Sequence, residues 1–280
     1  MVSEHPDTGF RAAMNIDHSR ISDIIRQAAH EQVLPLWQNL QQDQIEEKQR
    51  GDYVTVADKA SEAFLTPALE TVLPGSLVIG EEAAHDDPTL MQRLTSEQPV
   101  WVIDPVDGTA NFAAGETPFA VMVCIVQQGQ TLAGWIYDPV EETLLQAERG
   151  AGAFLDDERL SFAEPSGVAG DIHGALSTKY LPEEMRPYAM RGAGHLGNTR
   201  ASGCAAYDYR AMARGDYSFS FYYRTMIWDH APGALVVEEM GGVVARYDES
   251  PYQPASDATG LICASDPDTW QTVRRLLVER

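Results

Sequence analysis

Basic residues are scarce in this 280-residue chain, which has 20 lysines and arginines against 42 aspartates and glutamates. The formal net charge of -22 disfavours nonspecific binding to nucleic acid or to an anionic membrane surface. An acidic protein that handles a phosphate must neutralise the phosphate locally, and bound divalent cations would do so. The charge balance therefore favours a small-molecule partner over nucleic acid or membrane.

Cysteine is also rare. The three cysteines are widely spaced and form no CxxC pair, so the sequence predicts neither a disulfide framework nor a zinc site at Cys124, Cys204 and Cys263. Buried thiols in a reducing compartment are the better interpretation. The first ten residues are polar, and no apolar run is long enough to span a membrane. We therefore expect a cytoplasmic protein.

Several common catalytic signatures are missing. The chain has no GxSxG element, which argues against a Ser-His-Asp hydrolase, and neither a P-loop nor a GxGxxG motif follows a predicted strand. Internal repeats and low-complexity segments are absent as well. The length and the 44% hydrophobic content suit one large domain or two packed subdomains.

The chain is organised around residues 100–112, in which an apolar, strand-like run ends in Asp104 and Asp107. Pro105 stiffens the turn between the two acids, and Gly108 lets the backbone come close to a ligand. Carboxylates this close repel each other unless a cation lies between them, and oxygen ligands favour a hard ion such as Mg²⁺. The structural alternative is that Asp-Pro and Asp-Gly are ordinary turn formers.

Two other segments place acids next to regular structure. A short strand at 77–79 ends in Gly80 and Glu81, which makes Glu81 a candidate metal ligand or water activator. Asp229 lies near the start of a helix predicted to run to Met240. Their structural alternatives are an ordinary surface loop and a helix N-cap, respectively.

Asp58 is predicted to be the N-cap of a helix that runs to about Leu73. A functional role for Asp58 requires that it face the Asp104 turn. Before it, residues 16–40 have helical periodicity, and Pro35 should kink or split that helix. The polar residues 41–50 are expected to form a mobile loop.

The remaining elements indicate two halves. Residues 117–160 alternate as an antiparallel β meander, and the turn-rich residues 164–167 form the best boundary. We expect an N-terminal α+β subdomain over 1–165 with most metal ligands, and a C-terminal α/β subdomain over 166–280 with Asp229 and the substrate end. A helix is predicted over 182–190. From the polar loop before the first strand, Lys48 is able to reach a substrate or cation site, but a solvated surface lysine is the preferred interpretation.

Taken together, four segments resemble the inositol monophosphatase family of Mg²⁺-dependent, Li⁺-sensitive phosphatases. The match rests on the order and spacing of residues 52–58, 80–82, 101–112 and 228–242, and it extends over nearly the whole chain. The resemblance implies an α/β (α+β) fold, a layered αβαβα sandwich of the inositol monophosphatase and fructose-1,6-bisphosphatase type. It also implies a homodimer.

The resemblance implies a site that holds two or three Mg²⁺ ions. The positions that match the family's metal ligands are Glu81, Asp104, the backbone carbonyl of Val106, Asp107 and Asp229. Asp104 would bridge two ions. The implied reaction is direct attack of a metal-activated water on a small phosphate monoester, without a protein nucleophile.

The same resemblance assigns roles around the reacting water. Thr109 with Asp58 matches the pair that orients this water, and Glu81 with Thr109 would accept its proton. Gly108 and Thr109 would present backbone N–H groups to the phosphate. The small-residue stretch that lies along the substrate matches Gly203, Cys204 and Ala205.

The substrate end departs from the pattern for inositol phosphate. Family members that hydrolyse that ester usually carry a glutamate a few residues before the Trp-Asp motif, and here Tyr222 falls near that position. Arg224 would bind a second phosphate or a carboxylate, or else form a structural or dimer-interface pair. Asp229 is expected to contact the substrate as well as metal.

An ester similar to inositol 1-phosphate is therefore the expected substrate. Histidinol phosphate, fructose 1,6-bisphosphate and adenosine 3′,5′-bisphosphate stay open, because relatives use each of them. A noncatalytic role as a binding partner in gene expression is the alternative from another functional class.

Overall fold

A computed structural model describes residues 16–279, so the polar first ten residues lie outside the described part of the chain. The helices in that range are α1 (His18–Ala28), α2 (Val56–Val72), α3 (Glu81–Asp86), α4 (Thr109–Ala113), α5 (Arg186–Ala193), α6 (Ala205–Ala213), α7 (Ile227–Glu239) and α8 (Pro267–Leu277). The strands are β1 (Ile45–Gln49), β2 (Asp52–Thr55), β3 (Leu77–Gly80), β4 (Val100–Asp107), β5 (Ala120–Gln127), β6 (Gln130–Asp138), β7 (Thr143–Glu148), β8 (Gly152–Leu155), β9 (Glu158–Arg159), β10 (Gly174–Leu176), β11 (Thr199–Arg200), β12 (Phe219–Tyr222), β13 (Val243–Ala245) and β14 (Leu261–Ala264).

The larger sheet has seven strands in the order β3-β4-β5-β6-β7-β8-β9. β3 and β4 are parallel, and every later pair is antiparallel, so the expected meander is confirmed. All eight residues of β4 are buried, including Asp104 and Asp107. The ladder between β4 and β5 is irregular between these two acids, where Pro105 has no N–H to donate.

The smaller sheet has five strands in the order β11-β10-β12-β14-β13. β10 runs parallel to both of its neighbours, whereas β14 is antiparallel to β12 and β13. All of its strands follow residue 165, and all strands of the larger sheet precede it. The division into subdomains at that residue stays a prediction.

The helices form three layers around the two sheets. α1 and α2 cover one face of the larger sheet, α6 and α7 lie between the sheets, and α5 and α8 cover the outer face of the smaller sheet. The result is the expected αβαβα sandwich. Large side chains such as Trp101 and Trp135 are fully buried in the first interface, and each such burial contributes roughly 1.5–3 kcal/mol.

Three local expectations were wrong. The N-terminal helix ends at Ala28 and widens into a π-helical turn over Ala29–Val33, so it is over before Pro35. The expected loop over 41–50 contains β1, which forms an antiparallel hairpin with β2. The helix expected over 182–190 begins only at Arg186 and has Pro187 in its first turn, where the missing N–H costs nothing.

No helix within residues 16–279 is both long and apolar enough to cross a membrane.

Candidate active site

A cleft of about 440 Å³ contains nearly every residue that the sequence singled out. The predicted site residues that line it are Glu81, Asp104, Val106, Asp107, Gly108, Thr109, Gly203, Cys204, Ala205, Tyr222, Arg224 and Asp229. Asp58 lies behind this wall and contacts it through Thr109.

Sheet topology explains why the acids converge. β3 and β4 are parallel neighbours, so their carboxyl ends lie at one edge of the sheet, where sites in α/β proteins commonly form. Glu81 is the first residue after β3, and Asp107 is the last residue of β4. Asp229 joins them from the first turn of α7 rather than capping that helix.

Gly108 follows directly and has a left-handed backbone with φ of +86°. A Cβ there would lie 2.7 Å from the Pro118 carbonyl oxygen and 3.1 Å from Cys204 Cβ. Only glycine fits this turn, which starts α4 at Thr109 as expected.

Lys48 pairs with two glutamates at the start of α3, one of which, Glu81, lines the cleft, so the interpretation as a solvated surface lysine was wrong. Its side chain is only 6% exposed, and its Nζ lies 2.7 Å from Glu82 Oε1 and 3.3 Å from Glu81 Oε1. Lys48 lies at the irregularity of the β1–β2 ladder between Glu47 and Gln49, and its side chain reaches the two glutamates at the start of α3. Burial would lower the pKa of Lys48, but the two glutamates outweigh it and raise that pKa above its ordinary value.

Glu62 is a functional neighbour that sequence reasoning missed. Its carboxylate accepts hydrogen bonds from the backbone N–H of Glu82 at 2.8 Å and of Ala83 at 3.0 Å, at the start of α3. A Cβ on Gly80 would lie 2.0 Å from Glu62 Cδ, so glycine makes room for this contact. Glu62 thereby fixes the start of the helix that carries Glu81.

Asp58 is not the N-cap of α2; that position belongs to Thr55. Asp58 Oδ2 instead accepts hydrogen bonds from the Thr55 backbone N–H at 2.8 Å and from Thr55 Oγ1 at 2.6 Å. Its other oxygen lies 3.1 Å from Thr109 Oγ1, which also contacts the Val106 carbonyl oxygen at 2.8 Å. Burial raises the pKa of Asp58 to about 7, although the bonds from Thr55 oppose the shift.

The start of α6 holds Asp107 from the other side of the cleft. Asp107 Oδ2 accepts hydrogen bonds from the Ala206 backbone N–H at 2.6 Å and from Cys204 Sγ at 3.1 Å. Burial and the Asp107 charge raise the pKa of the Cys204 thiol well above its ordinary value, so the thiol keeps its proton and acts as a donor. All three cysteines are free and buried, as the sequence predicted.

Asp104 and Asp229 bear on whether the site fits a cation. Asp104 is 1% exposed, and its Oδ1 has no hydrogen-bond partner. Burial, and then the charges of nearby carboxylates, raise the pKa of Asp104 well above its ordinary value. Burial and the charge of Asp107 raise the pKa of Asp229 to about 7, opposed first by the charge of Arg224 and then by a hydrogen bond with Asp104. A hard cation would stabilise the ionised forms of these acids and would give the unpaired Asp104 oxygen a partner.

The acids nevertheless keep protein partners. Within residues 16–279, no three His, Cys, Asp or Glu side chains form a ready-made metal cluster. Glu81 is engaged by Lys48, and Asp107 by α6. The donor set fits Mg²⁺ chemically, and holding an ion would require these carboxylates to turn toward a shared centre.

Tyr222 and Asp208 form the floor of the cleft. Tyr222 lines the cleft as predicted, and its hydroxyl donates to Asp208 Oδ2 at 3.0 Å. Ser202 Oγ donates to the other oxygen of Asp208 at 2.7 Å. Sequence reasoning missed Asp208, and its place four residues after Cys204 on α6 was the only signal. Burial raises its pKa to about 7.

Arg224 lies at the rim. Its Nη1 donates to Asp52 Oδ2 at 3.3 Å, and its guanidinium lies 3.9 Å from the centre of the Tyr180 ring. Beside it, Lys179 Nζ donates to the Gly51 carbonyl oxygen at 2.6 Å. The Lys179 contact joins the β1–β2 hairpin to the loop after β10, and the Arg224 contact joins it to the loop after β12. Arg224 therefore has a structural partner while it still lines the cleft.

Known proteins share this architecture. The inositol monophosphatase family model matches residues 11–279 of this chain. The Nus factor SuhB of Escherichia coli K12 is 33% identical over 214 residues, which cover 73% of this chain and 76% of that protein. The inositol-1-monophosphatase of Bacillus subtilis 168 is 28% identical over 230 residues, 80% of this chain and 82% of that protein. The crystal structure of extragenic suppressor protein suhB from Bartonella henselae superposes with a TM-score of 0.80 at 27% identity, covering 93% of this chain and 98% of that one.

Proposed function

Because the chain belongs to the inositol monophosphatase family, we propose that it is a Mg²⁺-dependent phosphatase that hydrolyses a small phosphate monoester. The observation that carries this proposal is the set of buried acids at one end of the cleft, with the Thr109–Asp58 pair beside them. Helix capping does not explain the whole set: Asp107 accepts a hydrogen bond from the start of α6, but Asp104 is buried and its Oδ1 has no partner.

The residues proposed to hold two or three Mg²⁺ ions are Glu81, Asp104, the Val106 carbonyl, Asp107 and Asp229. When bound, the ions supply Lewis acidity and neutralise the charge of the phosphate. The Thr109 hydroxyl has one proton, which it donates either to the Val106 carbonyl oxygen or to Asp58. Donation to Asp58 leaves the Val106 carbonyl oxygen available for an ion.

The chain's own residues then position the reacting groups. Ionised Asp58 accepts the Thr109 hydroxyl proton, which leaves the lone pairs of Thr109 Oγ1 to hold a water molecule in place. Glu81 serves as the general base for that water. The backbone N–H groups of Gly108 and Thr109 are proposed to contact the phosphoryl oxygens, while Gly203, Cys204 and Ala205 border the rest of the substrate.

The experiment is phosphate release from a panel of esters with and without Mg²⁺, repeated with Li⁺. The panel holds inositol 1-phosphate, histidinol phosphate, fructose 1,6-bisphosphate and adenosine 3′,5′-bisphosphate. We expect Mg²⁺-dependent turnover, inhibited by Li⁺, and we expect Asp104→Asn and Glu81→Gln each to lose nearly all of it. Glu46→Gln is the matched control, because Glu46 is exposed and pairs only with Lys59 among the described residues. Near wild-type turnover by either site variant would refute the assignment.

A second candidate function is a noncatalytic binding role in gene expression. The observation in its favour is the 33% identity to a protein named as a Nus factor. Folded protein that binds Mg²⁺ but hydrolyses no ester would favour this role. The two functions are compatible in one chain, so partner capture with the Asp104→Asn variant would separate binding from catalysis.

We further propose that the protein is a cytoplasmic homodimer. The free, buried thiols support a reducing compartment. Light scattering during size-exclusion chromatography tests the dimer, and a mass of 30.8 kDa would contradict it.

A further inference from the structure

We propose that Arg224 forms a second anion subsite, so that the preferred ester carries a further phosphate or carboxylate besides the phosphate that is cleaved. The inference rests on the proposed phosphatase function and narrows its substrate class. An ester with a second anion thereby replaces inositol 1-phosphate as the expected substrate, because the inositol ring has only hydroxyls to contact this part of the cleft.

The first support is the state of the guanidinium. Its plane is held against the Tyr180 ring, and within the described part of the chain it donates one hydrogen bond, to Asp52. A guanidinium has five N–H donors in a rigid fork that matches a phosphate or carboxylate. Arg224 is therefore oriented in the cleft with most of its donor capacity unused.

The second support is the rigidity of its backbone. The Arg224 carbonyl oxygen lies 3.2 Å from His230 Nε2, and His230 Nδ1 lies 3.1 Å from the Tyr209 hydroxyl. His230 is 2% exposed, and these two contacts hold both nitrogens of its ring in place. This chain of contacts fixes Arg224 relative to α7, the helix that carries Asp229.

The third support is what the floor of the cleft lacks. The Tyr222 hydroxyl donates to one oxygen of Asp208 and Ser202 Oγ donates to the other, so both oxygens already accept hydrogen bonds. No free carboxylate therefore faces the leaving group from this floor. The cations that line the cleft are Arg224 and Lys179, so an anionic leaving group meets complementary charge at the rim.

The contact with Asp52 is easily displaced. It is a single bond of 3.3 Å, and the two side chains are 37% and 25% exposed, a setting in which ion pairs contribute little. A substrate anion that binds bidentately would replace it with a stronger contact. Asp52 is thus the competitor of the substrate for Arg224.

The test uses matched pairs of esters that differ in the second anion. One pair is adenosine 3′,5′-bisphosphate with adenosine 3′-monophosphate, and the other is 2-phosphoglycerate with glycerol 2-phosphate. In at least one pair, we expect kcat/KM to be about tenfold or more higher for the ester that carries the second anionic group. Most of the difference should lie in KM. The pair that shows the preference identifies the second group as phosphate or carboxylate.

Variants separate a subsite from a purely structural contact between the β1–β2 hairpin and the loop after β12. In Arg224→Gln, we expect the ratio of the kcat/KM values for the two esters of a pair to fall close to one. Asp52→Asn is expected to keep or raise the ratio, because it removes the competitor. Arg214→Gln is the control: Arg214 forms a comparable pair with Glu141, its side chain is 36% exposed, and it lies outside the cleft lining.

Two outcomes would overturn the inference. One is hydrolysis of both members of each pair at equal kcat/KM. The other is equal loss of activity on every ester in Arg224→Gln and Asp52→Asn, which would identify the pair as a purely structural contact. Both require turnover, so they differ from failure of the proposed function, in which folded protein with Mg²⁺ releases phosphate from no ester.

Discussion

The buried ion pairs of Lys48 allow a quantitative test of how the cleft is held together without metal. The perturbation is Lys48→Met, which keeps most of the side-chain length and removes the charge. The side chains of Lys48, Glu81 and Glu82 are 6%, 17% and 11% exposed, so water screens their charges weakly. Removing one partner of a buried pair costs about 3–5 kcal/mol. We expect Lys48→Met to lower the free energy of unfolding by about 3 kcal/mol, the lower end of this range. The reasons are the longer distance to Glu81 and the ability of Glu81 to take up a proton.

The assay is urea unfolding at pH 8 in the presence of a chelator. Lys59→Met is the matched control on α2, because Lys59 pairs with Glu46 at 2.9 Å but the two side chains are 51% and 66% exposed. We expect the control to cost less than about 0.5 kcal/mol. With saturating Mg²⁺ the deficit of Lys48→Met should shrink, since a bound cation takes over the neutralisation of Glu81. Equal costs for the two variants would refute the reasoning.

Two further predictions concern Asp208 and Gly80. Folded Asp208 holds its proton up to a pKa of about 7 against an ordinary value of 3.8, so its contribution to metal-free stability falls as pH rises between these values and is level above them. Asp208→Asn should remove this contribution, which is at most about 4 kcal/mol. If urea unfolding gave parallel pH profiles for the variant and the wild-type protein, the prediction would be contradicted. In Gly80→Ala the new Cβ displaces the Glu62 carboxylate, so we expect a cost of about 1–3 kcal/mol and a lower rate of phosphate release. Gly170→Ala, whose Cβ would meet nothing within 4 Å, is the control, and similar losses in both variants would show that the Glu62 contact is unimportant.

Patterns that are local in the sequence predicted much of this molecule. Hydrophobic runs that end in acids located the strands β3 and β4 and the cleft at their carboxyl ends. Gly108 and Thr109 marked the turn into α4 for steric reasons that hold for any chain. Local reasoning failed where the sequence did not distinguish a loop from a strand. A polar segment became β1 because β2 was available to pair with it.

The partners of the site residues were decided by tertiary structure alone. Lys48 and Glu81 are 33 positions apart, Cys204 and Asp107 are 97 apart, and Arg224 and Asp52 are 172 apart. A hydrogen bond or ion pair depends on separation in space, and no periodicity encodes a contact over such distances along the chain.

The sequence by itself determined the order of the elements, the acids at strand ends and helix starts, and the chemical class of ligand they favour. Only the tertiary structure decided that Lys48 pairs with Glu81, that Glu62 secures the start of α3, and that Arg224 pairs with Asp52 at the cleft. The physical reason is that burial and charge act through space. The same side chain is a solvated surface group or a buried partner depending on what folds against it.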